Sequence, residues 1–318
     1  MRPEPASHST TERTLAGLPS GADVSVTVHR YRGGSGPTVY LQAAQHGIEL
    51  NGPATLRRVG RRLAGATIAG TVVVVPVVNP LAFDHRSYVT PAEFDAANPN
   101  LNRVWPGDDD GTFQERLAAS LWELVAASDA AVDLHTGTPD MLEHVRFRAG
   151  RERARTLVAA FGTDYILSDD GDEPAGDSFS GKFRTAAART GVPAITAELA
   201  NSRRVTRSAT ETGVRGIWNV LRMLGVVDEP ARDPADRTVL RDDPEPTLAT
   251  ASGLFEPHPG VAVGERVAAG DELGTVYCPS SFEPVQAVTA ADGGVVYSLT
   301  REAVVVEGER LAGVGRPI

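Results

Sequence analysis

The chain has 318 residues, 41% of them hydrophobic, enough apolar material for a sizeable buried core. Its formal net charge is -10, and an acidic surface argues against sequence-independent binding to nucleic acid, which needs a basic face. Cys278 is the single cysteine, so no internal disulfide can form and a reducing compartment fits.

Residues 1–20 read as a polar tail rich in Ser, Thr and Pro, without the apolar segment of a secretory signal. The longest apolar run, 72–78, is interrupted by Pro76 and is far too short to span a bilayer. A cytoplasmic protein with no membrane and no nucleic-acid partner is expected. Residues 22–31 alternate as a strand does, and TVYLQAA at 38–44 is a short apolar strand that stops at Gln45-His46-Gly47. Residues 51–65 have helical spacing, with Asn51 as the N-cap and Pro53 in the first turn. TVVVVPVVN at 71–79 reads as a buried strand.

Residues 80–110 form a long irregular stretch dense in Pro, Asn and Asp, and such loops are functional or disordered. Helices are expected at 111–128, 153–162, 181–191 and 210–225, and strands at 129–135, 164–168 and 192–199. DDGDEPAGD at 169–177 reads as an exposed acidic loop. Strands that alternate with helices imply one α/β domain over 21–227, a mostly parallel mixed sheet flanked by helices. A Pro-rich acidic linker at 228–247 follows. At 248–318, short strand-like runs between Gly-containing turns read as a small all-β, barrel-sandwich-like domain. It has no lysine at a hairpin tip to carry biotin or lipoate, so it is expected to border the active site instead.

Several polar side chains stand at the ends of these strands. His46 and Glu49 follow one, Asn79 another, His135 a third, and Glu198 lies in the tail of a fourth. In an open parallel sheet the ligand crevice lies outside the carboxyl ends of the strands, so separate segments deliver these groups to one place. A catalytic zinc takes three His or carboxylate ligands and leaves a position for water. His46 and Glu49, three apart on a turn, can reach one ion, with His135 as the third ligand. A carboxylate beside the activated water can take its proton, and Glu198 is the candidate base. Cobalt or manganese suits the same ligand set. Asp133 reads equally as a residue that orients a metal ligand from behind and as a structural strand-end carboxylate. His85 and His144 read as solvated loop histidines. Gly176, Gly181 and Lys182 resemble a phosphate-binding loop, but Phe183 replaces the required Ser or Thr and the preceding acidic run repels phosphate. No Gly-x-Ser-x-Gly elbow is present.

QHGIELNGP, VVNPLAFDHR, NLNRVWPG, VDLHTG and ITAEL, in this order over roughly residues 38–200, resemble the succinylglutamate desuccinylase/aspartoacylase family, a branch of the zinc carboxypeptidase-like fold. The resemblance implies one zinc per chain held by His46, Glu49 and His135. It makes Glu198 the base and later the proton donor to the leaving amine. It has Arg86 polarise the scissile carbonyl, and Asn102 and Arg103 bind the substrate carboxylate, with Asn79 lining the substrate site. The implied reaction is hydrolysis of a small N-acyl amino acid or related acyl amide. A metallocarboxypeptidase acting on short peptides and a non-catalytic carboxylate-binding protein are the alternatives. Three departures stand out. Asn100 replaces the family's acidic residue two before Asn102, Ala200 stands where the family commonly has glycine, and the tyrosine some members supply from the C-terminal domain has no evident counterpart beyond Tyr277 or Tyr297. The quaternary state, including any homo-oligomer, is not readable from the sequence.

Overall fold

Two sides of one sheet are written into the period-two alternation of its strands. Val39, Leu41, Val72, Val74, Val132, Leu134, Ile195 and Ala197 point to one core; Tyr40, Val73, Val75, Ala131 and Ala194 point to the other. In the computed structural model, which describes residues 2–137, 140–169, 181–230, 237–242, 246–301 and 304–318, four parallel strands form the centre. In spatial order they are Thr67–Val75, Gly34–Ala43, Ala130–Gly137 and Ala194–Asn201. Helices Asn51–Leu63, Glu152–Phe161 and Arg207–Met223 cover the first face through Leu56, Leu63, Leu157, Phe161, Ile217 and Leu221. Helices Phe113–Ala126 and Phe183–Thr190 cover the second through Leu117, Leu121, Val125 and Phe183. The α/β class, the mixed and largely parallel sheet, and a separate antiparallel sheet near the C-terminus are all as expected.

Helix boundaries follow local chemistry. Phe113–Ala126 begins with a reciprocal capping box between Thr112 and Glu115. Glu152–Phe161 and Phe183–Thr190 end at Gly162 and Gly191, both at left-handed φ. The expected cap at Asn51 is corrected. Leu50 is the N-cap, and the buried Asn51 side chain instead donates to Leu199 O at 2.8 Å and accepts from Thr206 N at 2.8 Å.

The polar N-terminal tail is also corrected. Ser7–Gly17 is an edge strand, antiparallel to Asp23–Arg32, which in turn pairs with Thr67–Val75. As an edge strand it buries only Leu15, so it lacks the apolar alternation by which a strand is recognised. At the other end of the sheet His144–Arg148 pairs antiparallel with Ala194–Asn201, followed by Tyr165–Asp169 and Thr238–Arg241. Thr238–Arg241 falls inside the expected linker. It is too short to register as a strand, yet Leu240 is fully buried. Arg310–Pro317 and Gly294–Leu299 extend the same sheet. Four further C-terminal strands, 284–289, 272–277, 253–257 and 304–305, form the four-stranded antiparallel sheet over a core of Phe255, Leu273, Val276 and Val288. Most of the acidic 169–177 loop and of the phosphate-loop-like segment lies outside the described residues. Among the described residues no helix is long and apolar enough to cross a membrane.

Candidate metal centre and active site

The Gly34–Ala43 strand ends because Ala44 takes a left-handed φ of 57°, which throws Gln45 and His46 out of the sheet plane. The 46–49 turn is closed by Glu49 N donating to His46 O at 3.2 Å. Gly47 permits the Pro80–His85 helix to pass close by, since a Cβ there would lie 2.0 Å from Ala82 O. On the neighbouring strand His135 lies in register with Glu198. These placements bring His46, Glu49 and His135, all buried, within 4.8 Å of one another by their ligand atoms.

The orientation of each ring is fixed from behind. His46 Nε2 faces Asn100 Oδ1 at 3.2 Å, an acceptor that keeps the proton on Nε2 and leaves Nδ1 toward Glu49 Oε1 at 2.7 Å. His135 Nε2 faces Asp133 Oδ2 at 2.8 Å, which leaves Nδ1 toward Glu49 Oε2 at 3.1 Å. Asp133 is held in turn by Gln42 Nε2 at 3.0 Å and Gln45 Nε2 at 2.7 Å. Of the two readings of Asp133, the geometry supports the one in which it orients His135. Carboxylate–histidine pairs of this kind fix the tautomer and raise the basicity of a metal-facing nitrogen.

Glu49 Oε2 is buried without a hydrogen-bond partner, although His135 Nδ1 is near, because the approach is off hydrogen-bonding geometry. A buried carboxylate oxygen without a partner is costly unless a cation meets it. Two imidazole Nδ1 atoms and one such oxygen form the donor set that suits zinc. The electrostatics point the same way. Burial opposes ionisation of Glu49, but the His46 and His135 imidazoles hold its carboxyl down at about 2. Burial disfavours charge on His135 as well, but Asp133 and Glu49 outweigh it and raise the imidazole well above its usual value. The site favours positive charge.

Glu198 is partly buried and stands in register with His135 on the neighbouring strand. Burial raises its carboxyl above the ordinary range and the Glu49 charge adds to this, against His135, Arg146 and His46. Directly after it the strand register breaks, and Ala200 takes a left-handed φ of 54° where the family commonly places glycine. The Asn51 side chain clamps this break through Leu199 O.

The remaining sequence candidates divide. Asn102 lies beside the cluster's supports: its backbone N–H donates to Asn100 Oδ1 at 2.9 Å and its own Oδ1 accepts from Phe183 N at 3.0 Å. Arg103 is exposed, with Nη1 donating to Asn102 O at 2.8 Å. Arg86 is exposed at the left-handed C-cap of Pro80–His85, and among the described residues no hydrogen bond or ion pair holds its guanidinium. Asn79 departs from the substrate-lining expectation. Its fully buried amide caps that helix at Ala82 N, accepts from Thr90 Oγ1 at 3.1 Å and donates to Gln45 O at 3.0 Å, so it braces the His46 loop. His144 is no solvated loop histidine. It is fully buried opposite Glu198, with Nε2 accepting from Arg146 Nε at 2.9 Å, while Arg146 pairs with Asp242 at 2.6 Å. Tyr297, one of the two C-terminal tyrosines, donates to the same Asp242 at 2.7 Å.

Tyr88 carried no motif and no periodic signal. Its ring stacks on that of His46, with centroids 4.0 Å apart and planes inclined by 13°. Burial raises its hydroxyl above the ordinary value, helped by the Glu49 and Glu198 charges and opposed by Arg103.

Comparison with known proteins accords with this geometry. A profile of the succinylglutamate desuccinylase/aspartoacylase catalytic domain matches residues 35–224. N-alpha-acetyl-L-2,4-diaminobutyric acid deacetylase of Halomonas elongata is 31% identical over 284 residues, covering 85% of this chain and 80% of the relative. In fold, the chain is similar to the product-bound ectoine utilization protein EutE (DoeB) of Ruegeria pomeroyi, with TM-score 0.84, 24% identity, and coverage of 98% of this chain and 99% of that one. It is likewise similar to a succinylglutamate desuccinylase/aspartoacylase from Rhodobacter sphaeroides, with TM-score 0.83, 24% identity, and coverage of 99% and 97%. With the family profile spanning more than half of its length, the chain belongs to the succinylglutamate desuccinylase/aspartoacylase family.

Proposed function

We propose that the chain is a zinc-dependent amidohydrolase that removes the acyl group from a small N-acyl amino acid. The observation that carries this reading is the convergence of His46 Nδ1, His135 Nδ1 and the partnerless Glu49 Oε2, with Glu198 in register with His135 on the next strand. The name of the Halomonas elongata relative makes N-acetylated diamino acids the first substrates to try.

His46, Glu49 and His135 would hold the ion. Zinc there would supply a Lewis acid for the amide carbonyl and lower the pKa of water at neutral pH. Glu198, its carboxyl raised by burial, takes the proton of the attacking water and passes it to the leaving amine. Asn102 and Arg103 bind the substrate carboxylate, the guanidinium offering a planar two-point contact. Arg86, exposed at the C-cap of Pro80–His85, would serve the developing oxyanion. Short peptides present the same free carboxylate, so the substrate panel includes a dipeptide. The test of the mechanism is Glu198→Gln. It should keep its metal content while turnover falls about 100- to 10,000-fold. A Glu198→Gln protein that hydrolyses its substrate at the wild-type rate contradicts the assignment of the base.

A further inference from the structure

The chain leaves the Glu198 strand along a path it would not take unaided. Ala200 and Arg203 both hold a left-handed φ, 54° and 63°, and the register with the His135 strand slips between Glu198 and Asn201. Residues with a Cβ persist in that region only where their surroundings over-determine them.

What determines them comes from the segments that carry the clustered ligands. Asn51, two residues after Glu49, is fully buried, and both ends of its amide are paired. Nδ2 donates at 2.8 Å to Leu199 O, the carbonyl of the residue directly after Glu198, and Oδ1 accepts from Thr206 N at 2.8 Å. Arg203 N donates at 2.8 Å to Ile48 O, inside the 46–49 turn, and Ser202 N donates at 3.1 Å to Gly137 O, two residues past His135. Residues 199–206 are thus strapped to the chain around Glu49 and His135. Ile48 and Gly137 hold the strap through main-chain carbonyls, which any residue supplies. Asn51 holds it through a side chain, and a buried amide is costly unless both of its ends find partners. Its polar atoms serve a segment about 150 residues away, while Leu50 is the N-cap of its own helix.

A general base works only at a fixed place relative to the group it deprotonates. The Leu199 carbonyl lies one peptide from Glu198, so a strand end freed there would carry the carboxylate with it. We infer that Asn51 is a positioning residue for the hydrolysis: by tying the strand end that carries Glu198 to the turn that carries His46 and Glu49, it fixes where the base stands relative to the ligand cluster. This rests on the amidohydrolase reading. Asn51 acts through Glu198 and is not itself a catalytic group.

The experiment compares Asn51→Ala with Val59→Ala, a truncation in the same helix whose side chain lies in the apolar core. Both should lower the urea midpoint, but only Asn51→Ala removes the clamp. On N-acetyl-L-2,4-diaminobutyrate with zinc-loaded protein, kcat of Asn51→Ala should fall about 10- to 100-fold while KM stays within about twofold of wild type. Zinc affinity, read by chelator competition, should stay near the wild-type value, because the 46–49 turn is closed by its own hydrogen bond. Val59→Ala should keep wild-type kcat and KM. If Asn51→Ala does not fold, Asn51→Asp carries the test. It has the same size and keeps an acceptor for Thr206 N, yet withdraws the amide donor from Leu199 O, and its kcat should fall likewise. Hydrogen exchange at the amides of residues 199–206 needs no substrate. It should quicken in the Asn51 variant and stay unchanged in Val59→Ala.

Equal kcat in the Asn51 and Val59 variants would overturn the inference and leave Asn51 a merely structural residue. Loss of zinc affinity with normal kcat in the metal-loaded fraction would overturn it too, because Asn51 would then support the ligand turn alone. So would unchanged exchange over 199–206, whatever the substrate. Wild-type protein inactive on this compound and on other N-acyl amino acids would instead defeat the amidohydrolase reading.

Discussion

Asp133 Oδ2 lies 2.8 Å from His135 Nε2, on a side chain fully withdrawn from solvent. Through this contact a carboxylate that is not itself one of the three clustered groups decides which nitrogen of His135 faces Glu49. Asp133→Asn keeps the shape but places an amide against the donors Gln42, Gln45 and His135. Zinc affinity should fall about 10- to 100-fold. Competition with a calibrated chelator measures it, and unchanged circular dichroism separates the effect from unfolding.

Strain is stored two residues after Glu198. Ala200 holds φ of 54° at the break in the Glu198 strand, a conformation open to glycine and disfavoured for a residue with a Cβ. Ala200→Gly should leave stability within about 1 kcal/mol of wild type, since relief of strain offsets the added freedom of the unfolded chain. Ala200→Val, with a branched Cβ, should lose about 1–3 kcal/mol and reduce turnover through Glu198. Urea midpoints of the two variants give the comparison. Equal midpoints would remove the strain argument.

The buried His144 makes stability depend on pH. Burial first, and then the Arg146 guanidinium, hold its pKa down at about 3. The folded chain binds fewer protons there than the unfolded chain, where histidine titrates near 6.5. The contribution is therefore fully present above about pH 6.5 and is lost as pH falls from there toward 3. It changes by roughly 1.4 kcal/mol for each unit. Urea unfolding of chelated protein between pH 7 and 5 should show declining stability in wild type. The slope should be shallower in His144→Gln. Identical slopes would assign the dependence to other groups.

Much of this was legible in the sequence because apolar strands and the polar residues that end them are local signals. The 38–44, 71–79, 129–135 and 192–199 runs are buried on both faces, and their ends deliver His46, Asn79, His135 and Glu198. What escaped depends on partners distant in the chain. Ser7–Gly17 is a strand only because Asp23–Arg32 offers it an edge, and Thr238–Arg241 only because Tyr165–Asp169 does. Asn79 looked like a substrate ligand from its place after a strand; that place equally makes it a helix cap, and burial decided. Asn100 appeared as a departure from an acidic pattern, yet its carbonyl oxygen still orients His46. Tyr88 could not be found by spacing at all, because its ring meets His46 across 42 residues of loop, strand and helix.

The central claim is that His46, Glu49 and His135 hold a catalytic zinc. Metal analysis of the purified chain, with hydrolysis of an N-acetyl amino acid panel followed before chelation, after it, and after zinc is returned, tests it most directly. The account predicts about one zinc per chain, release of free amine that chelation abolishes, and recovery on adding zinc back. Metal-free protein that stays inactive after zinc is supplied, or activity that survives complete chelation, would contradict it.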